Sequence, residues 1–466
     1  MHTAARCRIG PIMLAALAVL IPAAAKGEAQ SASDWKAGVA SVVITPGEPT
    51  WLSGYGSRTE PADGKVHDLY AKALAIEGSD AARLVLVTLD LGSVSQEITD
   101  AVFHRVSERY GLPRESLLLN VSHTHCAPEV AAERRVFHAL SADAEEVLVR
   151  YIDVLVERIV GVVGQAIDDL QPARLSVGRS TAAFAYNRRL PTPEGFVNRQ
   201  NVDGVVDRDV PVLRVTAPDG QLRAIVFGYA CHNTTLAFQQ YCGDYAGFAQ
   251  AYLEASHPGA TALFLMGCGG DQNPYPRHGP QGLEYCMQHG KALAEAVEQA
   301  LDGPRHNVRG PLRVAYDVAA LDLEPLPSTE QLKADAEAGT ALQQRKARYL
   351  LDRLDKEGRI ELTQACPVHA ARFGDDLLLI AISGETVVDY SLRCKRELAG
   401  PFVWVAGYTD DVFAYLPSLR VLREGGYEGR TGIVHQLVPT PFAESVEERV
   451  MASIERVVRE VSKPRR

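Results

Sequence analysis

Two histidines separated by one residue, His123 and His125, follow the apolar run Leu117-Leu118-Leu119 and precede Pro128. In extended chain, residues i and i+2 point to the same side, so the pair is expected to face one pocket from the end of a strand. Neutral imidazole suits zinc and other transition metals, which makes this pair a candidate metal ligand and its neighbour. Three more apolar segments end in the same manner. Residues 225–229 run into Cys231-His232-Asn233, residues 377–382 into Ser383-Gly384-Glu385, and residues 403–406 into a loop that reaches Tyr415. A carboxylate directly after a buried strand is costly unless it meets a cation. Two histidines and a carboxylate make three protein ligands, the number found in catalytic zinc sites that keep a fourth position for water. The sequence has no HExxH helix and no GxSxG, which excludes the usual zinc-protease helix and disfavours an α/β-hydrolase serine.

The elements that must position these residues are legible as alternating apolar segments. Strands are expected over 38–44, 71–77, 84–89, 210–215, 225–229, 262–266, 377–382 and 403–406. Helices are expected over 95–110, 145–170 and 248–256, the last with Asp244 as N-cap. Ser328 and Gln331 begin a charged helix read as continuous to Gly358, an outer helix or lid. Ser445 and Glu448 have capping-box spacing at the start of a closing helix. Leu52-Ser53-Gly54-Tyr55-Gly56 is a flexible loop that can approach a site, and the three glycines of Gly267–Asn273 permit close backbone approach. The loop lacks the GKS or GKT ending of a Walker motif. Tyr186-Asn187-Arg188-Arg189 reads either as a solvated turn or as an arginine clamp on a substrate oxygen.

The chain has 466 residues, a net charge of −10 and no long basic block, so nucleic acid is not an expected partner. Arg6 and Arg8 followed by an apolar run to Ala25 read as a signal peptide, residues 1–25. The product would be exported, periplasmic or secreted, with no transmembrane anchor after cleavage. Residues 35–466 are expected to form one catalytic domain, an α/β fold with mixed sheets flanked by helices. Eight cysteines without a CxxC argue against cysteine-based zinc, and Cys231 with Cys242 is a possible disulfide in an oxidising compartment.

Ser122-His123-Thr124-His125-Cys126-Ala127-Pro128 resembles the THTHSGP motif of the neutral/alkaline non-lysosomal ceramidases. Residues 227–232 are similar to that family's strand with its second zinc histidine. Gly267–Pro274 resembles its NLGDVSP segment, Ser383-Gly384-Glu385 its PGE, and residues 407–415 its loop with a ligand tyrosine. The resemblance implies one zinc per chain, held by His123, His232, Glu385 and Tyr415. It also implies His125, Arg188 and Tyr427 around a small-molecule or lipid amide substrate of N-acylsphingosine type. Asn273 stands where the family has the serine of GDVSP, so a covalent serine route is not available there. With little sequence after the Tyr415 region, the C-terminal β domain of the longer ceramidases is not expected here. Hydrolysis by zinc-activated water is the implied chemistry, with His125 as base or as an outer partner of the metal. Tyr415 or Tyr427 would stabilise the oxyanion. Two alternatives remain open: a hydrolase of the same fold with a different small polar substrate or bond, and an exported binding protein without turnover.

Overall fold

A computed structural model of the chain describes residues 1–2, 35–131, 140–398, 400 and 402–463. The expected signal peptide lies outside them except for its first two residues. Residues Ser33–Arg466 group into one unit.

That unit is built on two packed sheets. The larger runs Thr261–Met266, Leu222–Tyr229, Asp209–Thr216, Gln171–Thr181, Trp35–Val43, Tyr70–Gly78, Arg83–Leu89 and Leu117–Val121, with His306–Val308 paired beside Gln171–Thr181. Its pairs are parallel at the two ends and antiparallel between. The end strands, Leu117–Val121 and Thr261–Met266, are nearly continuous apolar runs because both their faces are covered. The sheet curls until these end strands meet. Asn120, fully buried, fastens them: its Oδ1 accepts from Met266 N at 2.8 Å and its Nδ2 donates to Gly407 O at 2.7 Å. This closure carries the chain after Leu117–Val121 towards the chain after Leu222–Tyr229, and so brings His123 near His232.

The smaller sheet has the order Leu312–Asp322, Thr363–Phe373, Leu377–Ile382 and Phe402–Ala406. One face of each sheet packs on the other through Leu74, Ile76, Leu84, Leu263, Phe373, Leu379 and Trp404. Helices Gln96–Tyr110, Ala142–Asp168, Asp244–Ser256 and Gly282–Asp302 cover the outer face of the larger sheet. Helix Val446–Ser462 covers that of the smaller. This is the expected mixed α/β architecture.

Several local expectations are corrected. The charged helix from Ser328 is two helices, Thr329–Ala338 and Ala341–Glu357. They are broken at Gly339, and the full capping box lies at Thr340 and Gln343. Asp244 is the first helical residue and Gly243 occupies the cap. The Asp244 carboxylate accepts instead from Leu236 N and Tyr245 N. Ser445 makes no capping hydrogen bond. Cys231 and Cys242 are both free and buried, as are Cys126, Cys268, Cys286, Cys366 and Cys394. Cys242 Sγ lies 3.4 Å from His67 Nε2. Tyr186–Arg189 belongs to a strand, Ala185–Thr192, rather than to a turn. Among the described residues no helix is long and apolar enough to cross a membrane.

Candidate metal centre

His123 lies two residues beyond the end of Leu117–Val121 and takes the left-handed conformation, φ 62°. The two histidines therefore reach one place by a turn, not by the i, i+2 alternation of an extended segment. A non-glycine residue at this φ needs outside support. His123 N donates to Leu91 O at 2.9 Å and its Nδ1 to Gly92 O at 2.5 Å. His232 follows Leu222–Tyr229. Its N donates to Gln272 O at 3.0 Å and its Nδ1 to Gly269 O at 2.7 Å. The glycines of residues 267–270 thus serve close backbone packing. A side chain at Gly269 would meet Cys231 N at 2.7 Å, and one at Gly270 would meet Glu385 O at 2.5 Å. Glu385 opens a two-residue strand pairing in parallel with Tyr415–Leu416, so Glu385 stands opposite Tyr415.

Glu385 Oε2 is 3.3 Å from His123 Nε2 and 3.4 Å from His232 Nε2. These three ligand atoms lie within 4.8 Å of one another, and all three residues are buried. Both imidazoles donate Nδ1–H to a carbonyl, which assigns the lone pair to Nε2 and turns it to the carboxylate. Metal-ligating histidines are held in this way. Burial, then the charge of Arg188, brings His232 down to about 3, so it is neutral at ordinary pH. The donor set therefore fits a divalent ion with nitrogen and oxygen ligands, zinc included.

His125 Nε2 is 3.2 Å from His123 Nε2. Burial, then His123 and His232, holds its pKa well below the ordinary value, and its Nδ1 is buried without a partner. The ring lies against Tyr55, 4.7 Å between centroids at 70°, and against Gly54. Tyr415 stacks over His232 at 6.3 Å and 17°, with Tyr427 edge-on to it at 5.3 Å. Burial pushes the Tyr415 phenol well up. His123, His125, Glu385, Tyr415 and Tyr427 together line a cavity of about 270 Å³.

Arg188 and Asn273 lie outside that cavity wall. Arg188 is buried, with Nε 2.6 Å from Glu428 Oε1 and Nη1 3.1 Å from His232 Nε2. A metal on that nitrogen would take the place of the guanidinium contact. Asn273 sits between two guanidinium groups. In one amide orientation its oxygen accepts from Arg188 Nη1 at 3.3 Å, in the other from Arg277 at 3.1 and 3.2 Å.

Three residues near the site were not singled out from sequence. Tyr55 lines the cavity, Glu428 anchors Arg188 and Arg189, and Tyr408 places its ring 4.7 Å from that of His123. Tyr55 carried a signal, since it stands between two glycines in the loop expected to approach a site. Tyr408 and Glu428 adjoin Gly407 and Tyr427, but neither carries a pattern of its own.

The N-terminal profile of the neutral/alkaline non-lysosomal ceramidases matches residues 35–267, half of the chain, with His123 and His232 inside the match. The chain belongs to this family. Neutral ceramidase 3 of Arabidopsis thaliana is 25% identical over 192 residues, 40% of this chain and 26% of that protein. The neutral ceramidase of Pseudomonas aeruginosa is 25% identical over 247 residues, 50% of this chain and 36% of that protein. The matches thus span about a quarter to just over a third of those two ceramidases. The crystal structure of the Pseudomonas aeruginosa neutral ceramidase superposes with a TM-score of 0.71 at 20% identity, over 91% of this chain and 74% of that one. The ceramidase fold therefore continues past residue 267, into the half that contributes Glu385 and Tyr415.

Proposed function

We propose that the chain is a zinc-dependent amidohydrolase of the ceramidase family, exported, and acting on an N-acylsphingosine-like amide. The observation that carries this reading is the convergence of two oriented imidazole nitrogens and one carboxylate oxygen within 4.8 Å, beside a cavity that can admit an acyl group. Among the proposed ligands, His123, His232 and Glu385 supply these three atoms. Tyr415, paired with Glu385 in register, stands next to them.

One zinc ion bound there would supply a Lewis acid for the scissile carbonyl and lower the pKa of a water. His125, neutral and 3.2 Å from His123 Nε2, is placed to take a proton close to the ligand nitrogens. Tyr415 and Tyr427 face the same cavity and can donate to the oxygen that gains charge. Arg188 and Asn273 act from behind: Arg188 backs His232 and Tyr415, and Asn273 joins Arg188. The amide side chain of Asn273 is not a nucleophile, so the carbonyl is attacked by water rather than from residue 273.

Metal analysis and fatty-acid release from a short-chain N-acylsphingosine test the proposal together. The purified protein should carry about one zinc per chain. His123→Ala and His232→Ala should each lose both metal and turnover. Metal-free wild-type protein, with full activity in both variants, would overturn it.

A further inference from the structure

The Tyr55 hydroxyl, in the wall of the metal-centre cavity, is 3.2 Å from His278 Nε2. On the His278 side of this contact lies a second cleft, of about 660 Å³, lined by Tyr186, Asn198, Arg199, Tyr275, Arg277 and His278. Its cations have no carboxylate partner, a trait they share with Arg58, Arg158 and Arg313, which donate to amide or backbone oxygens elsewhere. Most buried or half-buried arginines meet a carboxylate, as Arg188 meets Glu428, Arg393 meets Glu447 and Arg114 meets Asp410. Arg277 instead donates to neutral groups, Thr234 Oγ1 at 3.2 Å and the Asn273 amide oxygen at 3.1 and 3.2 Å. Neither Arg277 nor the exposed Arg199 forms an ion pair with a described residue. In a protein of net charge −10, two arginines left without carboxylates at one cleft mark a place where negative charge is to come from outside.

The cleft also has a defined shape. Tyr186 and Tyr275 meet edge to face at 6.1 Å, and the Arg277 guanidinium lies 5.7 Å from the Tyr275 ring centroid. With Nη1 turned to Thr234 and Asn273 and Nη2 to Asn273, the Nε–H and the second Nη2–H of Arg277 remain to donate to a carboxylate or phosphate. The field of Arg277 is felt within the wall. Burial, then Arg277, brings His278 down to about 4, which keeps that ring neutral. The cleft and the metal centre share the Asn273 amide between them: its oxygen faces Arg277 at 3.1 Å in one orientation and Arg188 at 3.3 Å in the other, and Arg188 lies 3.1 Å from His232 Nε2.

We propose that this cleft receives an anionic group, carboxylate or phosphate, carried by one arm of the amide substrate, with Arg277 as its principal partner. This rests on the hydrolase reading above. It makes the preferred substrate a charged amphiphile rather than a neutral ceramide.

The test uses the zinc-loaded full chain and pairs of N-acyl amides that differ only in a terminal carboxylate or phosphate monoester against its neutral ester. A charge-assisted contact of this kind should favour the anionic member by about tenfold or more in KM, less so at high salt. Arg277→Met should bring the ratio close to one, and Arg199→Met should lower it less. Equilibrium dialysis of inorganic phosphate against the wild type and both variants reads the site without turnover, and binding should fall in Arg277→Met. The carboxylate and phosphate arms tell which anion the cleft prefers. Equal KM values for charged and neutral amides would overturn the proposal, even where free phosphate binds, since the cleft would then serve a free anion. Phosphate binding that survives Arg277→Met would overturn it as well. Arg277-dependent phosphate binding without hydrolysis of any amide would refute the hydrolase reading and leave the anion site standing.

Discussion

Gly54→Ala is the substitution that most directly tests what His125 does. Gly54 has φ 89°, where an L-residue is strained, and a Cβ there would come within 2.2 Å of His125 Cγ and Nδ1. Both atoms belong to a buried ring wedged against Tyr55, so the contact has no flexible end that can yield. The ring or the loop must move by about 1 Å to restore van der Waals distance. A displacement of that size in a positioning group lowers rate by about a hundredfold, within the 10²–10⁴ that a general acid or base contributes, as an order of magnitude. The backbone strain adds about 1–2 kcal/mol of destabilisation. None of the metal-ligand atoms moves directly, so zinc content should stay at about one per chain. The assay is kcat and bound zinc on one preparation, with thermal melts, for Gly54→Ala, His125→Ala and the double variant. Once the ring is gone, the added methyl has no ring to displace, and the double variant should be no slower than His125→Ala. Wild-type kcat in Gly54→Ala, or strictly additive losses in the double variant, would refute the assignment of His125 to the reaction.

Tyr415→Phe should retain zinc and lower kcat by about 10²–10³, the scale for one oxyanion donor, with little change in KM; parallel metal analysis and kinetics decide it. Asp410→Asn should destabilise the fold by about 3 kcal/mol in urea melts, because Asp410 is a buried partner of Arg114 at 2.7 Å and of His369 at 2.5 Å. Burial alone would raise the Asp410 carboxyl, but His369 and Arg114 bring it down to about 2. Its contribution is therefore complete above about pH 4 and is lost as pH falls through the folded-state value, so the variant should show a weaker stability loss over that window. Lys346→Met removes the donor to the carbonyls of Ile433, Gln436 and Val438, in the segment that sets His435 and Gln436 in the cavity wall. KM should rise severalfold, and amide hydrogen exchange over residues 433–438 should quicken.

What the sequence made legible were the places where a buried strand stops. Apolar runs such as Leu117–Leu119 and Leu377–Ile382 announce themselves, and a histidine or glutamate at their ends stands out against them. Strands with mixed character were missed. Gln171–Thr181 and Leu312–Asp322 mix buried with half-exposed residues, broken by Arg174, Ser176 and Arg179 in the first and by Arg313 and Asp317 in the second, which weakens any run. The turn at His123 was not foreseen, because a positive φ on histidine leaves no mark in composition. Arg188 kept two readings open, since its burial depends on Glu428, 240 residues away in the chain. The break at Gly339 did carry a signal, the Thr340–Gln343 box, outweighed by the helix formers on both sides.

The fastening of the two end strands by Asn120 also sets an order of events. His123 and His232 follow strands of the larger sheet, whereas Glu385 and Tyr415 follow strands of the smaller one, about 260 and 290 residues of chain after His123. Contacts of such long sequence separation form late, because loop closure must precede them. The ligand atoms therefore come together only after both sheets have formed and docked, so a nascent chain still lacking its last hundred residues could present two histidines but no complete cage. If the site takes its metal as proposed, capture would be a final act of maturation, and a chain holding an ion there would thereby report that both sheets are in place.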